Sequence, residues 1–211
     1  MDIASIRKDY TLKSLEISDV KASPFDQFHS WLREAVDSQA LEVNAMTLST
    51  MGLDGAPIGR IVLLKELDHG FVFFTNYESQ KGQELAQNPK ASLTFFWAEL
   101  ERQVRVTGSV EKIDSVQSDE YFFSRPISSQ LGAWTSPQSK VIDSRGELEL
   151  RLSEVSRRFE NEKISRPSFW GGYRLIPKSV EFWQGRPSRL HDRIRYDLKE
   201  DGNWNISRLA P

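Results

Sequence analysis

Five strand-like segments separated by short turns occupy residues 43 to 113, and this pattern constrains the fold more than any other feature of the chain. β-branched and aromatic residues are frequent in the segments, and Gly, Pro, Asn and Asp lie between them, as expected for strands joined by tight turns. The segments are 43–50, 59–65, 71–75, 91–98 and 102–113. Because the connections are short, the sequence predicts an antiparallel barrel or sandwich.

Helical patterns precede and interrupt these strands. Apolar residues recur at helical spacing over 24–39, and Ser79 can cap a short helix that ends near residue 87. Helical character returns at 118–125 and 145–160. The Ser-, Gln- and Pro-rich segment between them, 125–140, is interpreted as a long loop, which in a compact domain is usually functional or disordered.

Further strand-like pieces close the chain, at 173–177, 179–184, 189–198 and 204–209. The order of many strands with helices inserted between groups predicts an α+β fold. No linker divides the chain, so we expect one domain over 24–211, preceded by a polar N-terminal arm over 1–23 that is mobile or folds over another part of the protein.

Charge and composition exclude several classes of function. The 28 basic and 30 acidic residues nearly cancel, which argues against nucleic-acid or anionic-membrane binding through a global field. The chain has no cysteine, and its three histidines show no metal-ligand spacing, so no metal site is predicted. No segment has the apolar length of a signal peptide or a membrane span, which makes a cytoplasmic protein the expectation.

Segment 180–193, VEFWQGRPSRLHDR, concentrates aromatic and cationic side chains. If its last five residues are extended, Arg189, His191 and Arg193 project to the same face. Three such groups predict an anionic ligand, although a solvated edge strand whose charges oppose aggregation is the alternative. Two flanking arginines are also expected to lower the pKa of His191 by like-charge repulsion and leave a neutral imidazole at pH 7.

Two other segments carry groups suited to an anion. Arg60 and Lys65 lie at the two ends of an apolar strand, as at the rim of a phosphate-binding barrel, or else merely flank a buried strand. Tyr121, Arg125 and Ser129 follow at spacings of four, which favours one helical face continuing into a turn. These three form a plausible phosphate cradle, or else a helix end with a solvated arginine and a buried tyrosine.

Glu181 to Gln184, followed after four residues by Arg189 to Arg193, resembles the C-terminal signature of the pyridoxine/pyridoxamine 5'-phosphate oxidases. Other segments carry the same resemblance in the same order along the chain: IRKDY, RIVLLK, LERQVRV, SRP, SQLGAW, PSFWGG and RLAP. The resemblance covers essentially the whole chain. It implies an α+β, FMN-binding split β-barrel, mainly antiparallel, with peripheral helices, that forms a homodimer.

The resemblance also implies an activity: FMN-dependent oxidation of pyridoxine 5'-phosphate and pyridoxamine 5'-phosphate to pyridoxal 5'-phosphate in vitamin B6 metabolism. Dioxygen would reoxidise the flavin to give hydrogen peroxide, and the amine substrate would also release ammonia. Arg189 and His191 are implied as catalytic. The implied substrate-binding positions are Arg7, Lys8, Asp9, Tyr10, Lys65, Tyr121, Arg125, Ser129, Arg189, Leu190 and His191. The implied FMN positions are Arg60, Ile61, Val62, Leu63, Leu64, Lys65, Phe74, Thr75, Gln80, Lys81, Gln103, Gln138, Ser139, Trp183 and Arg193.

Two details of the resemblance affect these assignments. In the family, the segment that corresponds to 7–10 folds over bound substrate as a lid, which would exclude water from the reaction. Gln80 stands where the family often has arginine. A glutamine keeps a hydrogen bond there but loses its charge-assisted part, typically ~1 kcal/mol or somewhat more.

Two rival functions remain at this point. A flavin or haem protein without oxidase activity can share the same barrel, because fold does not fix function. Against it, Tyr121, Arg125, Ser129 and the complete Arg-Leu-His-Asp-Arg segment are substrate positions. A nucleic-acid-binding barrel with exposed aromatic stacking platforms is the second rival. Against that rival, the net charge is near neutral and the anion-binding residues are scattered over distant segments.

Overall fold

The computed structural model describes residues 1–6 and 8–211, so the predicted lid residue Arg7 lies outside the described residues. The strands, numbered in chain order, are β1 (Ala45–Met51), β2 (Pro57–Leu63), β3 (Glu66–Leu67), β4 (Phe71–Asn76), β5 (Lys90–Trp97), β6 (Arg102–Lys112), β7 (Trp170–Gln184), β8 (Asp192–Leu198) and β9 (Trp204–Leu209). The helices are α1 (Pro24–Asp37), α2 (Gln80–Gln87), α3 (Ser115–Ser124), α4 (Ile127–Thr135) and α5 (Arg145–Arg158). Within the described residues, none of these helices is long and apolar enough to cross a bilayer.

All pairings in the sheet are antiparallel, which confirms the predicted α+β class and strand direction. The strand order is β2-β1-β5-β6-β7-β4-β3, with β8 on β7 and β9 on β8. One edge of β7 pairs with β6 along its whole length, while its first residues pair with β4 and its last with β8. The Lys65 N–H donates to the Val72 carbonyl at 2.9 Å. This hydrogen bond joins the residues after β2 to β4, so the two ends of the strand order meet and the sheet closes into a barrel.

Helix α1 packs into the apolar interior of this barrel. It begins behind Ser23, whose hydroxyl accepts a hydrogen bond from a first-turn N–H. The Phe28 ring lies 5.1 Å from Phe71, and the Trp31 ring lies 5.2 Å from Phe182, both edge to face. Burying one such side chain contributes about 1.5–3 kcal/mol, so these contacts help to hold α1 in the barrel.

The predicted strands 173–177 and 179–184 form a single strand, β7, so the prediction of two pieces was wrong. Gly108 pairs with Pro177 and Thr107 with Ser179, which leaves Lys178 as the extra residue of a bulge. The proline has no N–H to give to a regular ladder, and the bulge accommodates it. A Cβ on Gly108 would lie 1.9 Å from a β7 carbonyl oxygen, so only glycine fits there.

The predicted loop 125–140 contains helix α4, which is a second correction. Pro126 is the residue before the helix, where its missing N–H costs no hydrogen bond, and Pro137 follows the helix end. Polar composition suggested a loop, but Gln130 is buried and its side-chain amide donates to the Arg125 carbonyl at 2.9 Å. Only Arg125, Pro126 and the residues after Thr135 lie outside the helices in this segment.

The N-terminal arm lies against the barrel. Leu15 is buried in the core, and its N–H donates to the Asp192 carboxylate at 3.0 Å. Further along, the Tyr196 hydroxyl donates to the Lys21 carbonyl at 2.7 Å. The arm is therefore fixed at Leu15, and Tyr10 of the arm lies beside Trp183 at one end of β7.

Candidate active site

A cavity of about 350 Å³ lies between β2, β4 and α3, and we call it the Arg125 pocket. Its lining residues are Ile61, Val62, Leu63, Lys65, Phe74, Thr75, Lys81, Tyr121, Arg125, Gln138 and Trp170. All of these except Trp170 were predicted from the resemblance as substrate or cofactor positions. The sheet register explains the assembly, because Phe74 pairs with Gly172 near the first residues of β7.

Aromatic rings lie next to two of the cationic groups in this pocket, Arg125 and Lys65. Phe74 and Tyr121 stack with centroids 3.9 Å apart, and Trp170 is nearly parallel to Tyr121 at 6.2 Å. The Arg125 guanidinium lies 4.6 Å from the Trp170 ring, and Lys65 Nζ lies 5.9 Å from the Tyr121 ring. Arg125 Nη1 is a buried donor that has no hydrogen-bond partner among the described residues. Burial lowers the pKa of Arg125, yet a guanidinium stays charged, so the pocket presents an uncompensated positive group.

Lys81 forms a second cationic group at the edge of the same pocket. Its Nζ donates to the Gln138 side-chain oxygen at 2.9 Å and to the Thr75 hydroxyl at 3.3 Å. Burial lowers the pKa of Lys81, and the nearby charge of Arg60 lowers it further. Gln138 also borders a neighbouring cavity of about 240 Å³, whose lining residues are Glu78, Gln80, Gln83, Gln138, Ser139 and Lys140.

Arg60 is already paired in this structure. Its Nη2 lies 2.7 Å from a carboxylate oxygen of Glu84, a fully buried residue of α2, and its Nη1 contacts the Thr50 hydroxyl. The Gln80 side chain donates to the other Glu84 oxygen at 2.9 Å. Gln80 therefore supports the acid that fixes Arg60, a contact that local sequence patterns did not indicate.

A second group of predicted residues surrounds His191 at the other end of β7, and we call it the His191 rim. Gln103 pairs with Trp183, and Trp183 pairs with Arg193. The Trp183 ring lies 4.6 Å from His191 and 5.7 Å from Tyr10 of the arm. The cavity here is about 550 Å³, and its lining residues are Ile6, Lys8, Asp9, Tyr10, Arg186, Ser188, Arg189 and His191.

The chain at the His191 rim is not extended through residue 189, so the prediction of three cations on one strand face was wrong. Ser188 and Arg189 have positive φ angles of 56° and 61° in a 3₁₀ turn, and β8 begins only at Asp192. Arg193 is also neutralised, because its guanidinium contacts the buried Glu181 carboxylate at 2.9 and 3.1 Å. Arg189 has no ion pair within the described residues, whereas Leu190 is simply exposed.

The hydrogen bonding of His191 defines its neutral form. The Arg186 backbone N–H donates to Nδ1 at 3.1 Å, so the neutral ring carries its proton on Nε2 and can donate from there. The pKa of His191 is lowered, as expected, but burial is the first cause and Arg189 the second, while Asp192 opposes them. Arg193 does not contribute as predicted, because Glu181 compensates its charge.

Several predicted residues do not line these cavities, among them Ser129 and Leu64. Ser129 is in the first turn of α4, one turn beyond Arg125, and does not line the Arg125 pocket. The Leu64 side chain is buried in the core, directly after the end of β2. Sequence reasoning missed Trp170 and Glu181, although both lie within segments that carry the resemblance.

The Arg125 pocket and the His191 rim lie at opposite ends of β7. Phe74 of the Arg125 pocket pairs with Gly172 of β7, and Gln103 pairs with Trp183 of β7 at the His191 rim. These two β7 residues are eleven positions apart. At ~3.3 Å per residue, the path along the strand is roughly 36 Å. The chain therefore carries two groups of predicted ligand-binding residues that are distant from each other along β7.

The chain is similar to known proteins along nearly its whole length. Residues 32–159 match the family model described as pyridoxamine 5'-phosphate oxidase, and residues 170–211 match the pyridoxine 5'-phosphate oxidase C-terminal dimerisation region. Proteins named pyridoxine/pyridoxamine 5'-phosphate oxidase from Trichormus variabilis and Paraburkholderia phymatum are 57% and 58% identical over 210 residues. The alignments cover 99% of this chain, and 98% and 99% of those proteins, respectively.

Solved structures support the same assignment. PhzG from Burkholderia lata 383, in complex with tetrahydrophenazine-1-carboxylic acid, matches with a TM-score of 0.87 at 27% identity, over 95% of this chain and 100% of PhzG. A pyridoxamine 5'-phosphate oxidase-related, FMN-binding protein from Nostoc punctiforme matches in fold, with a TM-score of 0.70 at 17% identity, over 91% and 100% of the two chains. The predicted split barrel is thus confirmed, and the chain belongs to the pyridoxamine 5'-phosphate oxidase family.

Proposed function

We propose that this protein is an FMN-dependent oxidase that converts pyridoxine 5'-phosphate and pyridoxamine 5'-phosphate to pyridoxal 5'-phosphate, with dioxygen as electron acceptor, and that it works as a homodimer. The observation that carries the proposal is the Arg125 guanidinium. Its Nη1 is a buried donor that no other described residue pairs with, and the group is stacked on Trp170 and close to Lys65 and Tyr121. Such a group costs stability unless an anion completes its hydrogen bonds, and a phosphate monoester supplies both charge and acceptors.

The residues next to the Arg125 pocket fit the phosphate of FMN. Lys81 supplies a charge held by Gln138 and Thr75, and the adjoining cavity offers Ser139 and further amide donors. Arg60 is oriented by Glu84 rather than free, so its remaining N–H groups would contact the cofactor from a fixed position. Two separate cationic groups are what a site needs when cofactor and substrate each bring a phosphate.

Dimer formation would bring the two incomplete groups together. The path of roughly 36 Å along β7 exceeds the reach of one flavin mononucleotide, so one protomer cannot use both ends on one ligand. In a two-fold symmetric dimer, the His191 rim of one copy can face the Arg125 pocket of the other, and this forms two equal sites. The match of residues 170–211 to a dimerisation region supports this arrangement.

Bound FMN would supply the two-electron chemistry, in which a hydride equivalent leaves C4' of the substrate, its hydroxyl or amine loses a proton, and the electrons pass to dioxygen to give hydrogen peroxide. The protein residues bind and orient. Lys65, Tyr121 and Arg125, with Ser129 one helical turn away, would hold the substrate phosphate. Neutral His191 would donate from Nε2 to the substrate, with the unpaired cation of Arg189 beside it.

An anaerobic titration tests the oxidation. The purified protein is loaded with FMN, pyridoxine 5'-phosphate is added without oxygen, and absorbance is followed at about 450 nm, the band of oxidised flavin. We expect bleaching that air reverses, with pyridoxal 5'-phosphate as product. Flavin that binds but stays oxidised with both the alcohol and the amine substrate would refute the proposal and favour a flavin carrier on the same barrel.

A complementation test addresses the shared site. Arg125→Met and Arg189→Met homodimers should both be nearly inactive. If each site uses Arg125 of one copy and Arg189 of the other, subunit exchange between the variants restores one intact site in half of the dimers. We expect about one quarter of wild-type activity after mixing. No recovery, despite exchange shown by mass spectrometry of differently tagged copies, would place both arginines in one protomer's site.

A further inference from the structure

We propose that Glu101 is a positioning residue that holds the N-terminal arm closed over the His191 rim. This inference rests on the proposed function for its effect on turnover, but the contact itself can be tested without substrate. Glu101 lies in the turn between β5 and β6, and only 2% of its surface is exposed. A carboxylate buried to this extent requires hydrogen-bond partners.

The partners of the Glu101 carboxylate come from the arm, about ninety residues earlier in the chain. The backbone N–H groups of Thr11 and Leu12 donate to the same carboxylate oxygen at 2.9 and 3.1 Å. Lys8 Nζ lies 3.8 Å from the other oxygen. Hydrogen bonds to a charged acceptor are the stronger kind, so this one side chain holds an otherwise exposed segment through three of its residues.

The backbone of Glu101 connects this contact to the segment that leads to His191. The Glu101 carbonyl accepts a hydrogen bond from the Gly185 N–H at 2.8 Å and from the Gln184 side chain at 3.3 Å. Between these contacts, Tyr10 packs on Gly185, where an added Cβ would lie 2.7 Å from its side chain. Glu101 therefore ties the arm and the turn before His191 to one point of the barrel.

The conformation of Glu101 indicates that its side chain is needed. Its φ and ψ angles are 54° and 40°, in the left-handed region that a residue other than glycine occupies at a cost. Glycine would adopt this conformation without strain but would leave the Thr11 and Leu12 N–H groups without an acceptor. This contrast supplies a variant, Glu101→Gly, that removes the carboxylate without threatening the fold.

Hydrogen exchange of the full chain with FMN present tests the contact. In Glu101→Gly, exchange of the Thr11 and Leu12 amides should accelerate roughly 10- to 100-fold, as expected when a charge-assisted hydrogen bond is lost. Glu101→Gln, which keeps one neutral acceptor, should lie between Glu101→Gly and the wild type. Glu99→Gln, an exposed carboxylate in the same turn, is the matched control and should exchange like the wild type. Unchanged exchange in both Glu101 variants would overturn the proposal.

Steady-state kinetics then test the consequence for the site. A loosened arm lowers the fraction of protein that is closed, so KM for pyridoxine 5'-phosphate should rise roughly 5- to 10-fold in Glu101→Gly while kcat stays within about twofold. Faster exchange with an unchanged KM would overturn the positioning role. A wild-type protein that binds flavin but shows no turnover would count against the proposed function alone, because the exchange result does not depend on turnover.

Discussion

Replacing Arg125 with methionine should separate the stability of the Arg125 pocket from its ligand binding. Methionine has a similar length and can keep the apolar contact with the Trp170 ring, which the guanidinium now makes at 4.6 Å. The substitution removes Nη1, the buried donor that has no partner. It also removes the charge that we expect to bind the substrate phosphate.

The two effects have opposite signs. An unsatisfied buried donor costs about 1–3 kcal/mol, and the lost cation–π contact is worth about 0.5–2 kcal/mol. We therefore expect Arg125→Met, without ligand, to be as stable as the wild type or up to about 1 kcal/mol more stable. A hydrogen bond to a charged group is worth about 1.5–3 kcal/mol, so kcat/KM for pyridoxine 5'-phosphate should fall roughly 10- to 150-fold.

Urea unfolding of the ligand-free protein and initial rates with pyridoxine 5'-phosphate measure the two quantities. Unphosphorylated pyridoxine is the internal control, because its low kcat/KM should not change in the variant. Arg145→Met, a substitution of an 88% exposed arginine side chain on α5, is the matched control and should change neither quantity. A variant that loses more than about 2 kcal/mol of stability while keeping its preference for the phosphorylated substrate would refute this reasoning.

Three further outcomes are expected. Arg189→Met should raise the pKa of His191 toward its ordinary value, and an NMR titration of the imidazole would detect this change. An unchanged pKa would mean that burial alone lowers the His191 pKa. Glu181→Gln should lower the free energy of unfolding at pH 7 by about 1–3 kcal/mol. Burial alone would raise the Glu181 pKa, but its two arginine partners lower it, so this contribution is lost as pH falls below ~4.3. If the stability difference between the wild type and Glu181→Gln stayed the same from pH 7 to acid pH, that assignment would be contradicted. Gly185→Ala should displace Tyr10 and raise KM for the substrate, with FMN affinity as the unchanged reference.

The sequence predicted most strands, because β-branched and aromatic residues are frequent in them and turn-forming residues lie between them. It also placed α2 correctly, since the Ser79 hydroxyl does accept the Gly82 N–H at the helix start. The errors came where the backbone departs from regular periods. Positive φ angles at Ser188 and Arg189 interrupt the segment that was predicted to be extended. Gly or Asn would have indicated such angles, but neither residue type occurs at these positions.

Ion pairs between residues that are distant in the sequence were the second source of error in the sequence predictions. Arg60 and Arg193 were interpreted as free cations, but each has a buried acid, Glu84 on α2 and Glu181 on β7. The second pair could have been found, because the antiparallel register of β7 and β8 places Glu181 opposite Arg195, one diagonal step from Arg193. The first depends on how α2 packs beneath β1 and β2, which local patterns do not encode.

The anchoring of Leu15 in the core limits how far the arm can travel. Lys8 precedes this anchor by seven positions, so even in a fully extended arm it stays within roughly 24 Å of Leu15. That is enough to uncover the His191 rim but is shorter than the path along β7 to the Arg125 pocket of the same protomer. We therefore expect each arm to cover only the His191 rim of its own copy. The two sites of a dimer would then open and close independently, so that release of product from one need not wait for the other.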